Sequence, residues 1–325
     1  MAGRIFPVCF FLPIHCSMLA SPPVKTIEFY NRYSEHIETE QVYGEAFLRW
    51  AYGNPLGKLA LHSFIKRAAF SQWYGNRMDK SCSKSKIGPF IRDYDLNIEE
   101  FAQKPETFAS FNEFFYRKLK TEARPISEDA IVFPADGRHL AFTNIDKIDG
   151  FFVKGQTFDI HQLINDPELS ARYAGGSLIL SRLCPVDYHR FHFPVSGQAS
   201  PTRLINGPLF SVSPIALSRN LSYLWQNKRT ITQIETSSMG KVLMMEIGAT
   251  CVGSIEQTYC ADQAIQKGEE KGYFAFGGSS TMVIFEPGTM QFSEDILSNS
   301  SKQIETYAKM GDSMGHAIYT KSNGT

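Results

Sequence analysis

Three short stretches of this 325-residue chain concentrate groups able to do chemistry. The first is Phe133-Pro-Ala-Asp-Gly137. The second is Cys184-Pro-Val-Asp-Tyr-His-Arg-Phe-His-Phe-Pro-Val-Ser-Gly197, with His189 and His192 three apart in an aromatic run. In a strand those two rings face opposite sides, so one can work in a site while the other packs elsewhere. The third is Lys267-Gly-Glu-Glu-Lys-Gly-Tyr-Phe-Ala-Phe-Gly-Gly-Ser-Ser-Thr281. Glycine has no Cβ and permits strained backbone and close approach, so a serine after Gly278 can attack the carbonyl before it. A hydroxyl needs a base to become a nucleophile, usually a histidine oriented by a carboxylate. Asp136, His192 and Ser279 supply those roles if the fold gathers them, which spacing alone does not decide. Each stretch also has a plainer reading. Asp-Gly favours a turn, Gly277-Gly-Ser279 enters a strand, and no third ligand joins the two histidines to hold a metal.

The elements that must position these residues fall into two textures. Residues 26–120 read as helical. Ile27 to Trp50 is rich in helix formers, and Leu56, Ala60, Phe64 and Ala68 recur at spacing four, with Lys58, His62 and Lys66 on another face. That pattern fits a helix lying in a membrane interface or one packed on a core. Ser110-Phe-Asn-Glu113 before Phe114-Phe115 is a capped helix start. From about residue 130, short apolar runs alternate with Gly, Pro, Asn and Asp: Ile131–Phe133, His139–Asn144, Ser177–Leu183, Tyr188–Phe193, Lys241–Ile247 and Thr281–Phe285. The expected class is therefore α+β, a helical front followed by a β-rich domain.

Composition narrows the function classes. Lys+Arg and Asp+Glu are each 33, giving zero net charge, which argues against a wholly basic nucleic-acid binder. The balance is uneven. From Arg49 to Arg92 there are nine basic residues against Asp79 alone, a segment suited to an anionic surface. No GxGxxG, Walker A, GxSxG or HExxH pattern occurs. The six cysteines show no CxxC pair and read as free thiols. Residues 1–25 form an uncharged tail apart from Arg4 and Lys25, read as a start at Met18, a membrane contact or a signal.

Taken in order, the motifs resemble phosphatidylserine decarboxylases, a pyruvoyl-dependent family of self-processing proenzymes. The similarity covers roughly residues 108–290: Phe111-Asn-Glu-Phe-Phe-Tyr-Arg-Lys-Leu-Lys120, Arg124-Pro125, Pro134-Ala-Asp-Gly137, Val153-Lys-Gly155, Asp187-Tyr-His-Arg-Phe-His192, Ile247-Gly-Ala-Thr-Cys-Val-Gly-Ser-Ile255, Lys267-Gly-Glu-Glu270, Gly272-Tyr-Phe274 and Gly277-Gly-Ser-Ser280. The family's cleavage motif is commonly Leu-Gly-Ser-Thr or Gly-Gly-Ser-Thr. Here two serines follow the glycines, and the six residues from Ser279 to Phe285 match the family spacing better than the five from Ser280.

The resemblance implies a cut between Gly278 and Ser279, giving a beta chain 1–278 and an alpha chain 279–325. It implies that Asp136, His192 and Ser279 act in the cut and that Ser279 becomes a covalent pyruvoyl group, the Schiff-base partner of phosphatidylserine. His189 is then the proton donor or carboxylate contact during decarboxylation. It further implies a β-rich catalytic domain over 108–325 of barrel–sandwich hybrid type, with residues 26–107 as a helical membrane-associating region. Expected partners are phosphatidylserine, an anionic membrane surface, the two cleaved chains and a second copy in a homodimer, with no nucleic acid and no metal. The expected location is peripheral, on the cytoplasmic face of the cell membrane. The strand after the cut should stay in the sheet of the long chain, and 295–325 should be helical or loose. The alternatives are a soluble pyruvoyl amino-acid decarboxylase, a serine hydrolase that stays uncut, and a non-catalytic β-rich carrier.

Overall fold

A computed structural model describes residues 26–148, 158–250, 254–275, 277 and 279–318. The tail 1–25, the Val153-Lys-Gly155 stretch, Gly278 and residues 319–325 lie outside the described residues. The strands are β1 (Glu28–Asn31), β2 (His36–Thr39), β3 (Ile131–Val132), β4 (Gly137–Phe142), β5 (Ser177–Leu183), β6 (Arg190–His192), β7 (Gly197–Ala199), β8 (Arg203–Ile205) and β9 (Arg229–Glu235). They continue with β10 (Lys241–Ile247), β11 (Ile255–Gln257), β12 (Ala264–Ile265), β13 (Glu270–Phe274), β14 (Ser279–Phe285), β15 (Met290–Phe292), β16 (Glu305–Ala308) and β17 (Ser313–Ala317).

Eleven of these strands make one mixed sheet, in the order β12-β7-β9-β10-β14-β5-β4-β16-β1-β2, with β8 also on β9. Two small sheets flank it, β11-β13-β6 and β15-β17-β3. The α+β class stands. Among the described residues the large sheet has free ends at β12 and β2, so it is open, where a barrel-like closure was expected. A barrel needs its end strands to pair with each other; among the described residues β12 pairs with β7 alone and β2 with β1 alone.

The centre of the sheet reads directly from sequence. Ser177–Leu183 and Lys241–Ile247 are strands residue for residue as expected. β14 lies between β10 and β5, buried along its whole length. Its unbroken apolar run, Met282 to Phe285, suits a strand covered on both faces. Leu178, Leu180, Met245, Met282 and Ile284 fill one core; Ile179, Met244, Val283 and Phe285 fill a second on the opposite face, together with Phe191, Phe193 and Phe274.

The front differs from expectation in two ways. Residues 28–39 form a hairpin, not a helix. Asn31 accepts the Tyr33 N–H in an Asx turn, Glu35 takes a left-handed φ of 58°, and β1 pairs in parallel with β16. Turn chemistry and strand pairing thus outweigh the helix propensity of this segment. Helices do follow, at Glu45–Gly53, Pro55–Ala60, a π-helical turn Leu61–Ile65 and Ala68–Met78. Their core-facing residues are Ala51, Tyr52, Leu61 and Ile65, whereas Leu56 is 71% and Phe64 51% exposed. A Cβ at Gly57 would lie 2.0 Å from the Trp50 carbonyl oxygen, so only glycine lets these two helices meet. Among the described residues no helix is long and apolar enough to cross a membrane.

Residues 294–317 also carry more strand than expected. After the helix Glu294–Ser301, β16 enters the large sheet between β1 and β4, and β17 joins β15 and β3. A third core, from Met78 through Phe90, Phe101, Phe108, Phe111, Phe114 and Phe115, joins the front to the β-rich part.

Candidate active site

β14 begins at Ser279, opposite Leu183 of β5; Ser280 stands opposite Arg182 and Ile247, and Thr281 opposite Ser181 and Glu246. Side chains alternate along a strand. Ser279 therefore shares the face of Thr281, Val283 and Phe285, which packs with Phe191, Phe193 and Phe274 of the histidine-bearing layer. Ser280 shares the other face, with Met282 and Ile284. The Ser279, Ser280 and Thr281 hydroxyls are fully buried and have no hydrogen-bond partner among the described residues. Each such hydroxyl costs about 1–3 kcal/mol. Gly277, two residues before Ser279, has φ of 136°, a conformation strained for any residue with a Cβ.

His189 is fixed by the turn that leaves β5. Asp187 N–H donates to the Cys184 carbonyl at 2.8 Å, and the Asp187 carboxylate accepts from Cys184 N–H and Arg138, both at 2.6 Å. His189 Nδ1 lies 3.0 Å from the Asp187 carbonyl, so Nδ1 carries the hydrogen and Nε2 has a free lone pair. The His189 carbonyl in turn accepts Phe274 N–H at 3.0 Å. The chain segments 183–189 and 274–279 are thus pinned at both ends, by Leu183 opposite Ser279 and by His189 on Phe274. Between those pins lies Gly277, whose carbonyl favours the charged form of His189. That contact falls short of a hydrogen bond, and Nε2 has no partner. Burial, helped by the Arg117 charge, pushes His189 down to about 3 and keeps it neutral. The Phe115 ring packs against it at a tilt of 36°, centroids 3.9 Å apart.

His192 has the same tautomer, with Nδ1 3.0 Å from the Gly268 carbonyl and a buried, unpartnered Nε2. Burial pushes it down, while the Gly268 carbonyl and the charges of Glu270 and Asp136 pull the other way. Its N–H donates to the Pro134 carbonyl at 2.7 Å, which ties β6 to the segment holding Asp136. The Asp136 carboxylate is buried and does not form the turn that Asp-Gly favours. It accepts Arg124 Nη2 at 2.5 Å, Arg124 Nε at 2.9 and 3.1 Å, and Met310 N–H at 2.9 Å. The structure therefore groups Asp136 electrostatically with His192, and His189 with Gly277 and the start of β14. No hydrogen bond joins Asp136 to His192 or His192 to Ser279 among the described residues. Gly278, the other half of the expected cut, lies outside them.

Several buried charges behind the site escaped the sequence reading. Arg138 bridges Asp187 and Glu40; Arg182 bridges Glu40 and Glu305. Burial alone would push the Glu40 carboxyl up, but Arg182 and Arg138 hold it down at about 2. Arg124 and Asp187 were visible inside the motifs quoted above, without a role. Glu40 and Glu305 carried no signal, because their importance comes from strand pairing across the whole chain.

The family model for phosphatidylserine decarboxylase matches residues 111–316, more than half of the chain. A phosphatidylserine decarboxylase proenzyme of Fusobacterium nucleatum is 44% identical over 292 residues, covering 89% of this chain and 97% of that protein. The proenzyme of Clostridium perfringens is 42% identical, with 89% and 99% covered, and that of Chlamydia caviae is 42% identical, with 91% and 99% covered. A solved glucose permease IIA of Mycoplasma capricolum superposes with a TM-score of 0.27 at 16% identity, covering 57% of this chain and 92% of that one, too weakly to bear on the fold. With matches of this length and identity, the chain belongs to the phosphatidylserine decarboxylase family.

Proposed function

We propose that this chain is a precursor that cuts itself between Gly278 and Ser279, and that the two products together decarboxylate phosphatidylserine to phosphatidylethanolamine. The observation that carries the reading is the placement of Ser279. Its unpartnered hydroxyl opens a central strand, on the face turned to the layer that holds two neutral histidines.

In the cut, His192 Nε2 takes the Ser279 hydroxyl proton and Oγ attacks the Gly278 carbonyl carbon. The peptide C–N bond breaks, the freed amine gains the proton, and an ester replaces the amide. Loss of the Ser279 Cα proton with cleavage of the Cβ–O bond releases the Gly278 carboxylate and leaves dehydroalanine. Water then yields the pyruvoyl group and ammonia. Asp136 acts through space, its negative charge favouring the imidazolium that forms on His192. Arg124 and the Met310 N–H hold that carboxylate in place.

The residues at position 279 fit a pyruvoyl group. Pairing of Ser279 with Leu183 on one side and of Ser280 with Ile247 on the other holds the new chain end, and a small polar group already sits there without a partner among the described residues. When bound, that group supplies an electrophilic carbonyl system that takes up the electrons released with carbon dioxide. His189, with Nε2 free beside Gly277, moves the proton to the substrate carbon that loses its carboxylate.

Access to a membrane substrate falls to the front of the chain. Phe47, Trp50, Leu56, Leu59, Phe64 and Trp73 are exposed, amid the basic excess of 49–92. Apolar side chains with interspersed Lys and Arg suit peripheral binding to an anionic leaflet, the cytoplasmic face of the cell membrane in this reading. An intact-mass spectrum of the purified protein tests the core of the proposal. It should show chains 1–278 and 279–325, the second carrying a blocked, ketone-bearing start; a single uncut chain would reject it.

A further inference from the structure

A cavity of about 310 Å³ opens between the β1–β2 hairpin, the segment 94–101 and the turn Val186–Tyr188. Its wall includes Arg124 and Arg138, and both are already engaged, Arg124 by Asp136 and Glu100, Arg138 by Asp187 and Glu40. Arg117 lines the same cavity and differs from them. It is 95% buried by its 5% exposure, yet no carboxylate pairs with it among the described residues. Its guanidinium lies over the Phe101 and Phe114 rings, at 4.7 and 5.1 Å. Its contacts to the Phe114 and Val186 carbonyls are long, 3.5 and 3.4 Å, and Nε has no partner.

A buried cation with unfilled donors is costly unless a ligand completes it. Arg117 contributes to the wall of this space, and a guanidinium fork binds carboxylate and phosphate through paired bonds. Burial pushes Arg117 down only to about 10, so it is charged at neutral pH. We propose that Arg117 anchors an oxyanion of the lipid headgroup in this cavity.

Position supports the assignment. Phe115, two residues earlier, packs against His189, and the Arg117 charge reaches that ring. The cavity wall includes Val186, Asp187 and Tyr188, which lead directly into His189 along the chain. The volume is at the small end of ligand pockets, room for a headgroup with the acyl chains outside. The serine headgroup offers two such anions, its phosphodiester and its carboxylate.

The inference rests on the proposed substrate, and its test avoids turnover so that the two can fail separately. The uncut Ser279→Ala chain is titrated calorimetrically with sn-glycero-3-phosphoserine, sn-glycero-3-phosphoethanolamine and L-serine. Glycerophosphoserine should bind. Arg117→Gln should weaken it at least about tenfold, and Arg117→Lys, which keeps the charge and loses the fork, should weaken it less. Binding shared by glycerophosphoethanolamine marks the phosphodiester as the anchored group; binding shared by serine marks the carboxylate. With Arg117 unsubstituted, glycerophosphoserine should also slow modification of Arg117 by phenylglyoxal, read by peptide mass, whether or not the variants fold. No binding by the parent, equal affinity in the folded variants, or no protection of Arg117 overturns the anchor, even where phosphatidylserine is still decarboxylated.

Discussion

The Met310 N–H donates to Asp136 Oδ1 at 2.9 Å, joining the carboxylate proposed to assist the cut to the chain that the cut releases. The tie is one of many. β14 sits between β10 and β5, β16 sits between β1 and β4, and Arg32 makes a bidentate pair with Asp295. The products 1–278 and 279–325 should therefore co-elute as one species in native size exclusion and separate only in denaturant. Release of the short chain under native conditions would contradict this packing.

The alternation of β14 predicts a sharp difference between adjacent serines. Ser279→Ala should leave one chain of 36.6 kDa with no cleavage over a day, whereas Ser280→Ala should cleave within about threefold of the normal rate. Ser280 faces the apolar core of Met282 and Ile284, away from the histidine layer. An intact-mass time course decides it, and cleavage lost in Ser280→Ala alone would reverse the assignment.

The parts of this fold that sequence made legible are those whose burial is local. β5 carries the apolar run Leu178–Leu180 after Gly176 and ends before Cys184-Pro185, and β10 carries Val242–Met245 between Gly240 and Gly248, so hydrophobicity and turn residues mark their bounds. The Ser110 cap is also local, its hydroxyl accepting the Glu113 N–H at 3.1 Å. β1 and β16 were hidden because they are short strands whose identity depends on pairing residues near opposite ends of the chain, and β2 because it forms only against β1. The motif residues of the site were visible by their order. Arg117 was visible as a letter within a motif, but its lack of a carboxylate partner among the described residues is a property of three-dimensional packing alone.

Acid should destabilise the protein before its carboxylates titrate. Burial pushes His139 and His189 down to about 3. An unfolded histidine takes up its proton near pH 6.5, roughly, so below that pH the unfolded state binds more protons than the folded one. This stability is intact above about pH 6.5 and is lost as pH falls toward 3, with a limiting slope of about 1.4 kcal/mol per pH unit per histidine. Glu40, held at about 2, adds its own loss only below about pH 4.5. Urea midpoints of Ser279→Ala should fall from pH 7.5 to 5.0, and His139→Gln should flatten the slope by close to one proton. A pH-independent midpoint over that range would refute the buried neutral histidines.

Lys271 and Glu246 form an ion pair at 2.9 Å with neither side chain exposed. Removing one partner strands a buried charge, whereas replacing both removes the need for pairing. Lys271→Met should cost about 3–5 kcal/mol, and the double change Lys271→Met with Glu246→Leu should recover much of it. Denaturant unfolding of the four chains in this cycle gives the coupling. Additive losses would mean that the pair is not the unit of stability here.

The exposed front makes the last prediction. Leu56 and Phe64 lie outside every core, so changing both to serine should alter stability by no more than about 0.5 kcal/mol each. In the proposed membrane contact each would bury apolar surface worth about 1.5–3 kcal/mol when fully inserted. The double variant should cleave itself normally, turn over a dispersed short-chain phosphatidylserine normally, and sediment with anionic vesicles at least about tenfold less well. Binding of the unsubstituted protein should weaken with salt, because nearby Lys58, Lys66 and Arg67 act through a screened field. If the variant sediments as well as its parent, the apolar contact lies elsewhere on the molecule. If salt has no effect and neutral vesicles bind equally, the basic excess of this front has no part in docking.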